Sequence, residues 1–349
     1  MDASYFLISL LNGLSLGLLL FMLASGLTLI FSMMGVLNFA HASFYMLGAY
    51  VAWSITQLVG FWWGLVLAPP IVGLMGAGFE RFALRKVHKF GHVPELLITF
   101  GLSYILLELV QLVWGRQALN FQPPPSLQGP LFTITEFPAT AAAGAMAGLG
   151  LHWGAPPEAC KSVADAVCTQ FPTFRAFGMG VAVLMLVAVW LLLTRTRIGL
   201  VIQAALTHPE AAESLGHNVP RVFMLVFGGG TALAALSGVI GGALRVTEPG
   251  MAAAVGAVVF AVIVIGGMGS LAGAFVASVL LGVLDSFAVG SDRALIDLFR
   301  ALNFTVTPDT FGYAVWVVKI SQVAAILPYL LLVLILIFRP KGLFGTREG

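Results

Sequence analysis

Between Ala3 and Phe79 the chain contains no Asp, Glu, Lys or Arg. A lipid bilayer is the one solvent in which so long an uncharged stretch is cheap. Composition points the same way, with 59% hydrophobic and 9% charged residues, where a soluble domain carries roughly a quarter charged. A water-soluble single domain is excluded, and so is disorder, because the apolar surface is ample. The formal net charge is +2, with Lys and Arg in short clusters between apolar runs. That distribution leaves no basic stripe for nucleic acid and bears on membrane topology alone.

The first apolar run follows Met1-Asp2 without a basic leader or a small-residue cleavage site, so it reads as a retained span. A span needs about 17 to 25 apolar residues. Runs of about that length cover Tyr5 to Met33, Phe39 to Val59, Phe61 to Phe82, Leu96 to Trp114, Phe177 to Thr194, Val222 to Leu244, Ala252 to Met268, Leu271 to Val289 and Val318 to Phe338. The expected fold is an all-α membrane protein, a polytopic bundle of about 8–9 helices with discontinuous or re-entrant helices possible. Ala252 to Val289 is almost continuous, and Gly266-Gly267-Met268-Gly269-Ser270 can be a tight turn or the kink of a re-entrant pair. The whole of 1–349 reads as one transmembrane domain with an external loop, 116–175, inserted and a cytoplasmic loop at 195–221.

Basic residues group at Arg81, Arg85, Lys86 and Lys89, at Arg195, Arg197 and Arg221, and at Arg339, Lys341 and Arg347. The positive-inside rule makes all three groups cytoplasmic. Counting back through three spans puts the amino terminus outside, and a re-entrant Phe39 to Val59 would reverse it. About Gly115 to Arg175 and Gly290 to Tyr313 then face outward. The first stretch contains Pro123-Pro124-Pro125, a small-residue run near Ala139 to Gly150, and both cysteines, Cys160 and Cys168. Outside the cell a disulfide persists, and closing so small a ring is worth roughly 2 to 3 kcal/mol; two unpaired thiols are the alternative.

Thr207-His208-Pro209-Glu210 reads as a helix start, with Thr207 capping, Pro209 in the first turn and Glu210 completing a capping box. Ala211, Ala212 and Leu215 continue the helix and Gly216 ends it. Glu210 and Glu213 lie near its amino end, where the dipole favours anions. A helix of about two turns is marginal alone in water, so it either docks on something or is an ordinary amphipathic connector.

Glu210-Ala211-Ala212-Glu213-Ser214-Leu215-Gly216 resembles the EAA loop of bacterial ABC importer permeases. More specifically, the chain resembles the branched-chain amino acid permeases, a group that includes urea and amide permeases. The matching stretches are Gly35 to Tyr50 (GVLNFAHASFYMLGAY), Ile98 to Ser103 (ITFGLS), Gly266 to Ala274 (GGMGSLAGA) and the tail Arg339 to Gly345 (RPKGLFG). The resemblance covers nearly everything except about Ala118 to Thr173, where such permeases usually have a shorter loop. It implies a multi-pass subunit of the bacterial inner membrane. It also implies a similar second permease, two cytoplasmic ATPase subunits that use ATP and Mg, and a periplasmic solute-binding protein. It makes Thr207 to Gly216 a coupling helix whose docking positions are Glu210, Ala211, Ala212, Glu213 and Gly216. The solute would be a branched-chain or other hydrophobic amino acid, with urea or a short amide as the alternative.

Polar residues within spans need partners or water, because lipid supplies none. Asn38, His41, Ser43 and Tyr45 cluster in an otherwise apolar run, bordering the solute path or bonding one another and backbone across helices. Thr99, Gly101 and Ser103 put small and hydroxyl side chains on one helix, which suits either close packing or the path. Gly35 to Ser43 and Gly267 to Phe275 align without gaps as Gly-x-x-polar-apolar-Ala-x-Ala, hinting at two related halves. Glu108 and Asp285 are the intramembrane carboxylates that stand out, both towards the outer face, and Lys319 reads as a snorkelling residue. No second His, Cys or carboxylate stands at ligand spacing from His41, so no metal site is expected. There is no Gly-x-x-x-x-Gly-Lys-Ser/Thr loop, so the chain is not expected to bind a nucleotide or act as an enzyme. An ion-coupled transporter is disfavoured by the scarcity of buried charge, and an intramembrane enzyme by the lack of a nucleophile with a base.

Overall fold

A computed structural model describes residues 3–35, 37–137, 148–163, 166–294, 296–297, 307, 310–311 and 313–345. Val36 of the first matching stretch, residues 139–147 of the small-residue run, most of 298–312 and Arg347 lie outside the described residues. Every one of the nine apolar runs coincides with helix. They become α1 (Ala3–Met34), α2 (His41–Val59), α3 (Phe61–Phe79), a π-helical turn at Glu80–Leu84 leading into α4 (Arg85–His88), and α5 (His92–Trp114). After the external insert come α7 (Thr173–Arg195), α8 (Arg197–Thr207), α9 (Pro209–Ser214), α10 (Val219–Leu244), α11 (Met251–Gly266) and α12 (Leu271–Val289). A short α13 (Tyr313–Trp316) precedes the last run, which is broken into α14 (Ile320–Val323), a 3-10 turn at Ala324–Ile326 and α15 (Leu327–Phe338). Seven helical segments among the described residues are long and apolar enough to cross a membrane; α2 and the shorter α11 fill the space between them.

Helices α1 and α10 form the centre, with α12 against α1, and α2 and α3 against α10. Lipid gives no hydrophobic drive for helices to associate, so close backbone contact has to do it. Small residues make that contact possible. A Cβ at Gly13 or Gly17 of α1 would lie 2.6 or 2.7 Å from a Cα of α12, and one at Gly238 of α10 only 1.9 Å from the Tyr45 carbonyl of α2. Helices α5, α7 and α15 lie at the periphery and keep most of their apolar surface exposed.

The external insert is not an irregular loop. It contains a three-stranded antiparallel sheet, β1 (Pro130–Phe137) flanked by β2 (Gly148–Trp153) and β3 (Val167–Pro172), with a short helix α6 (Ala159–Ser162) between β2 and β3. Ile134 and Phe171 pack with Ile8 of α1, and the Ser4 amide and hydroxyl donate to Glu136. The sheet is thereby seated on the outer end of α1. Cys160 and Cys168 form a disulfide, Cα atoms 6.1 Å apart, tying α6 to β3.

Gly266 to Ser270 is a tight turn between α11 and α12, with Ser270 accepting from Gly273 N as the cap of α12. The tail closes over this turn: Leu343 N donates to Ile265 O and Phe344 N to Gly266 O.

Candidate functional site

Helix α1 ends at Gly35, where φ is +64°, and α2 does not start beside that end. His41 Nε2 donates to Leu23 O at 2.9 Å, which at 1.5 Å rise per residue is about 16 Å above the inner end of α1. Residues 37–40 therefore run back alongside the last turns of α1, with one turn bond, His41 N to Asn38 O at 3.1 Å, and no α-helical ones before the one that Ala40 O accepts. Such backbone is tolerated at membrane depth only where protein or a cavity replaces water. Side chains do so here: Ala40 N donates to Asn38 Oδ1 at 3.1 Å and Phe39 N to Thr99 Oγ1 at 3.3 Å. The discontinuous helix expected from the sequence lies at the first half of its proposed repeat. In the second half Ser270, aligned with Asn38, caps the helix that follows, whereas α2 has no side-chain cap.

The break opens on a cavity of about 590 Å³. Its floor is the start of α2, with Asn38, His41, Ala42 and Ser43; Ser103 and Tyr104 of α5, the first turns of α11, and Tyr329 and Leu332 of α15 also line it. Aromatic rings form its wall, Phe39 stacked on Phe260 at 6.1 Å between centroids and edge-on to Phe100 at 6.3 Å. Asn38 and His41 are 3% and 2% exposed.

The polar residues singled out from the sequence thus separate. Asn38, His41, Ser43 and Ser103 line the cavity. Thr99 is fully buried behind it and acts through the Phe39 amide. Tyr45 turns the other way, into the glycine face of α10, where a Cβ on Gly241 would meet its hydroxyl at 2.2 Å. Gly101 has nothing within 4 Å of a built Cβ, so the packing reading fails at that residue. His41 combines both readings offered for it, since one nitrogen bonds α1 backbone and the ring also lines the cavity.

In the basic loop expected to be cytoplasmic, α9 is shorter than expected and starts differently. Thr207 is not its cap, because its hydroxyl donates back to Gln203 O at 3.1 Å and so belongs to the end of α8. The residue before Pro209 is His208, with no side-chain cap bond, and Glu210 closes no capping box. The carboxyl end follows the Schellman pattern: Gly216, at φ +86°, donates to Glu213 O and His217 N to Ala212 O. Ala212 is buried against α8, while Glu210, Ala211 and Glu213 are exposed.

Two buried carboxylates near this face escaped the sequence reading. Glu80, 1% exposed, takes a two-point ion pair from Arg85, through Nε at 3.1 Å and Nη2 at 2.6 Å. The same Nη2 donates to Pro220 O at 2.6 Å, joining the π turn to the start of α10. Glu95 is fully buried and contacts both His88 and His92 through their Nδ1 atoms. At the outer face Asp285 shares a smaller cavity with Arg175 and Arg245. Lys319 is not simply snorkelling, because its Nζ pairs with Asp292 Oδ1 at 3.0 Å.

A multi-pass helical bundle with a broken helix opening on a half-buried, aromatic-walled cavity, and with the short helix α9 exposed between α8 and α10, defines a membrane permease. Residues 9–338 match the family described as branched-chain amino acid transport system, permease component, and the chain belongs to it. It is 26% identical to the high-affinity branched-chain amino acid transport system permease protein BraD of Pseudomonas aeruginosa, over 99% of this chain and 97% of the relative. It is likewise 26% identical to the LivH permease protein of that description in Escherichia coli K12, over 99% and 97%. It is also 26% identical to the permease protein LivM of Escherichia coli K12, over 77% of this chain and 61% of the relative. No solved structure matches the chain.

Proposed function

We propose that this chain is one membrane-spanning subunit of an ATP-driven importer in a bacterial inner membrane, and that it passes branched-chain amino acids inward by alternating access. The observation that carries the reading is the cavity at the α1–α2 break: about 590 Å³, walled by Phe39, Phe100 and Phe260, with Asn38 and His41 at its base. An aliphatic side chain fits such walls, and a charged backbone end needs such a floor. Urea, the alternative solute, has no apolar body to fill them. A similar second permease packs against the exposed faces of α5 and α15 beside the cavity. The exposed edge of α9, with Glu210, Ala211 and Glu213, enters a groove on a cytoplasmic ATPase that binds ATP and Mg. A periplasmic binding protein delivers the solute.

The test is reconstitution of this chain with the co-encoded second permease, ATPase and binding protein in liposomes. Radiolabelled leucine uptake that needs ATP and survives a proton uncoupler is the expected result. Uptake abolished by the uncoupler with ATP still present would overturn the assignment to an ATP-driven system.

A further inference from the structure

Two residues that line the cavity at the α1–α2 break, Asn38 and His41, each carry a buried polar atom without a partner, and the two atoms are of opposite kinds. Asn38 Oδ1 accepts from Ala40 N, which fixes the amide's orientation and leaves Nδ2 as the unpaired atom. Nδ2 is a donor. His41 Nε2 is hydrogen-bonded to the Leu23 carbonyl, so it must carry the proton. In a neutral imidazole the other nitrogen is then an acceptor, and His41 Nδ1 is unpaired. A buried donor or acceptor left unmet is expensive, on the order of 1 to 3 kcal/mol, so two on neighbouring residues of one cavity wall call for a partner that meets both.

The helix start adds a preference for where negative charge goes. Helix α2 runs for 19 residues with no acidic residue in its first turn and no side-chain cap. The Ala42 N–H makes no backbone bond to Asn38 or Phe39. Helix α11 also starts at this cavity, and Ala252 and Ala253 line it. Glu248, three residues before Met251, already gives that helix end a negative neighbour. The uncompensated positive end is therefore that of α2, beside Asn38 Nδ2.

We infer that this cavity recognises the zwitterionic end of an α-amino acid, with Asn38 Nδ2 and the amino terminus of α2 holding the carboxylate and His41 Nδ1 accepting from the ammonium. The aliphatic side chain then lies against Phe39, Phe100 and Phe260. The inference rests on the amino acid reading given above and adds which atoms meet which end of the solute. It explains why a donor and an acceptor, rather than a charged pair, stand at membrane depth: a solute carrying both charges is held without burying a net charge.

The complete importer, assembled in lipid nanodiscs without the binding protein, tests it by equilibrium binding of radiolabelled leucine in competition with leucinamide, which lacks the carboxylate, and 4-methylpentanoate, which lacks the ammonium. Wild type should prefer leucine to both. Asn38→Asp places an anion where the carboxylate sits, and should weaken leucine by about tenfold or more while leucinamide is retained or gains. His41→Phe removes the acceptor and should narrow the gap between leucine and 4-methylpentanoate. Asn38→Ser, smaller and uncharged, replaces Asn38→Asp if that variant does not assemble, and should weaken leucine and 4-methylpentanoate alike while sparing leucinamide. Absence of leucine binding in wild type, or an unchanged leucine-to-leucinamide ratio in the Asn38 variant, would overturn the inference. The ATP-dependent uptake assay judges the transport reading separately.

Discussion

Removing Arg85 should do more harm than removing the acid it binds. Glu80 is 1% exposed and has both carboxylate oxygens on the guanidinium, whereas the Arg85 side chain is 36% exposed. In Arg85→Ala the carboxylate stays buried with no counter-ion, a situation that costs roughly 3 to 5 kcal/mol for a fully buried pair. Exposure of the arginine lets some water reach the site, which lowers the figure to about 2 to 3 kcal/mol. In Glu80→Gln the arginine keeps its bond to Pro220 O and can turn towards water, so the loss should be about 1 kcal/mol, that of a hydrogen bond to a charged group partly replaced. The double variant should then be more stable than Arg85→Ala alone, because the second change removes the stranded charge. Thermal unfolding of the purified complex, followed by fluorescence-detected size exclusion, reads the order: wild type, Glu80→Gln, the double variant, Arg85→Ala. If Glu80→Gln does not rescue Arg85→Ala at all, the buried carboxylate is not what the arginine protects, and the argument fails.

Gly238→Ala should overpack the α2–α10 contact, where a Cβ would lie 1.9 Å from Tyr45 O, and lose about 1 to 3 kcal/mol; Gly101→Ala, with open space around it, should be neutral or better in the same melting assay. Gly216→Val should reduce ATPase retention in a detergent pull-down and the hydrolysis stimulated by loaded binding protein, because a β-branched residue resists φ near +86°; normal retention and stimulation would sink the coupling role. Cys160 and Cys168 should label with maleimide on intact cells only after reduction, and labelling only after permeabilisation would reverse the topology. Thr99→Val keeps shape but removes the acceptor for Phe39 N, and should lower uptake more than membrane abundance.

The helical framework was legible because lipid imposes a single rule, long uncharged runs, and all nine runs became helix. The break before His41 was partly legible, since Gly35 and Asn38 are residues that end and cap helices. Its depth was not, because only the bond from His41 to Leu23, 18 positions earlier, places it. The Glu80–Arg85 pair was hidden by its spacing. Five residues apart do not face each other on an α-helix, and the π turn at Glu80–Leu84 is what brings them together. Thr207 misled because a Thr before His-Pro-Glu has local cap chemistry, while α8 extends far enough to claim its hydroxyl. The β-sheet went unread because its strands are separated by long segments of Pro, Gly and small residues, and β2 alternates only Gly with apolar residues at its start.

The cavity and α9, the proposed coupling segment, meet in α10. Its first turn follows directly on α9 through Gly216 and the Asn218 cap, which accepts from Arg221 N at 3.0 Å, and is held from the side by Arg85 at Pro220. Five turns further on, its glycine face touches α2 backbone to backbone at Gly238, one turn after His41 enters the cavity. Because that contact is backbone to backbone at Gly238, with the Tyr45 ring packed tightly on Gly241 beside it, there is little to absorb a displacement, and movement at the α9 end should carry α2 with it. The packing therefore predicts that the two ends are energetically linked. Combining Arg85→Ala with Gly238→Ala should change leucine-stimulated ATP hydrolysis non-additively, with an interaction of about 0.5 kcal/mol or more. Strict additivity would mean that α10 is not the connection between the proposed ATPase contact and the cavity.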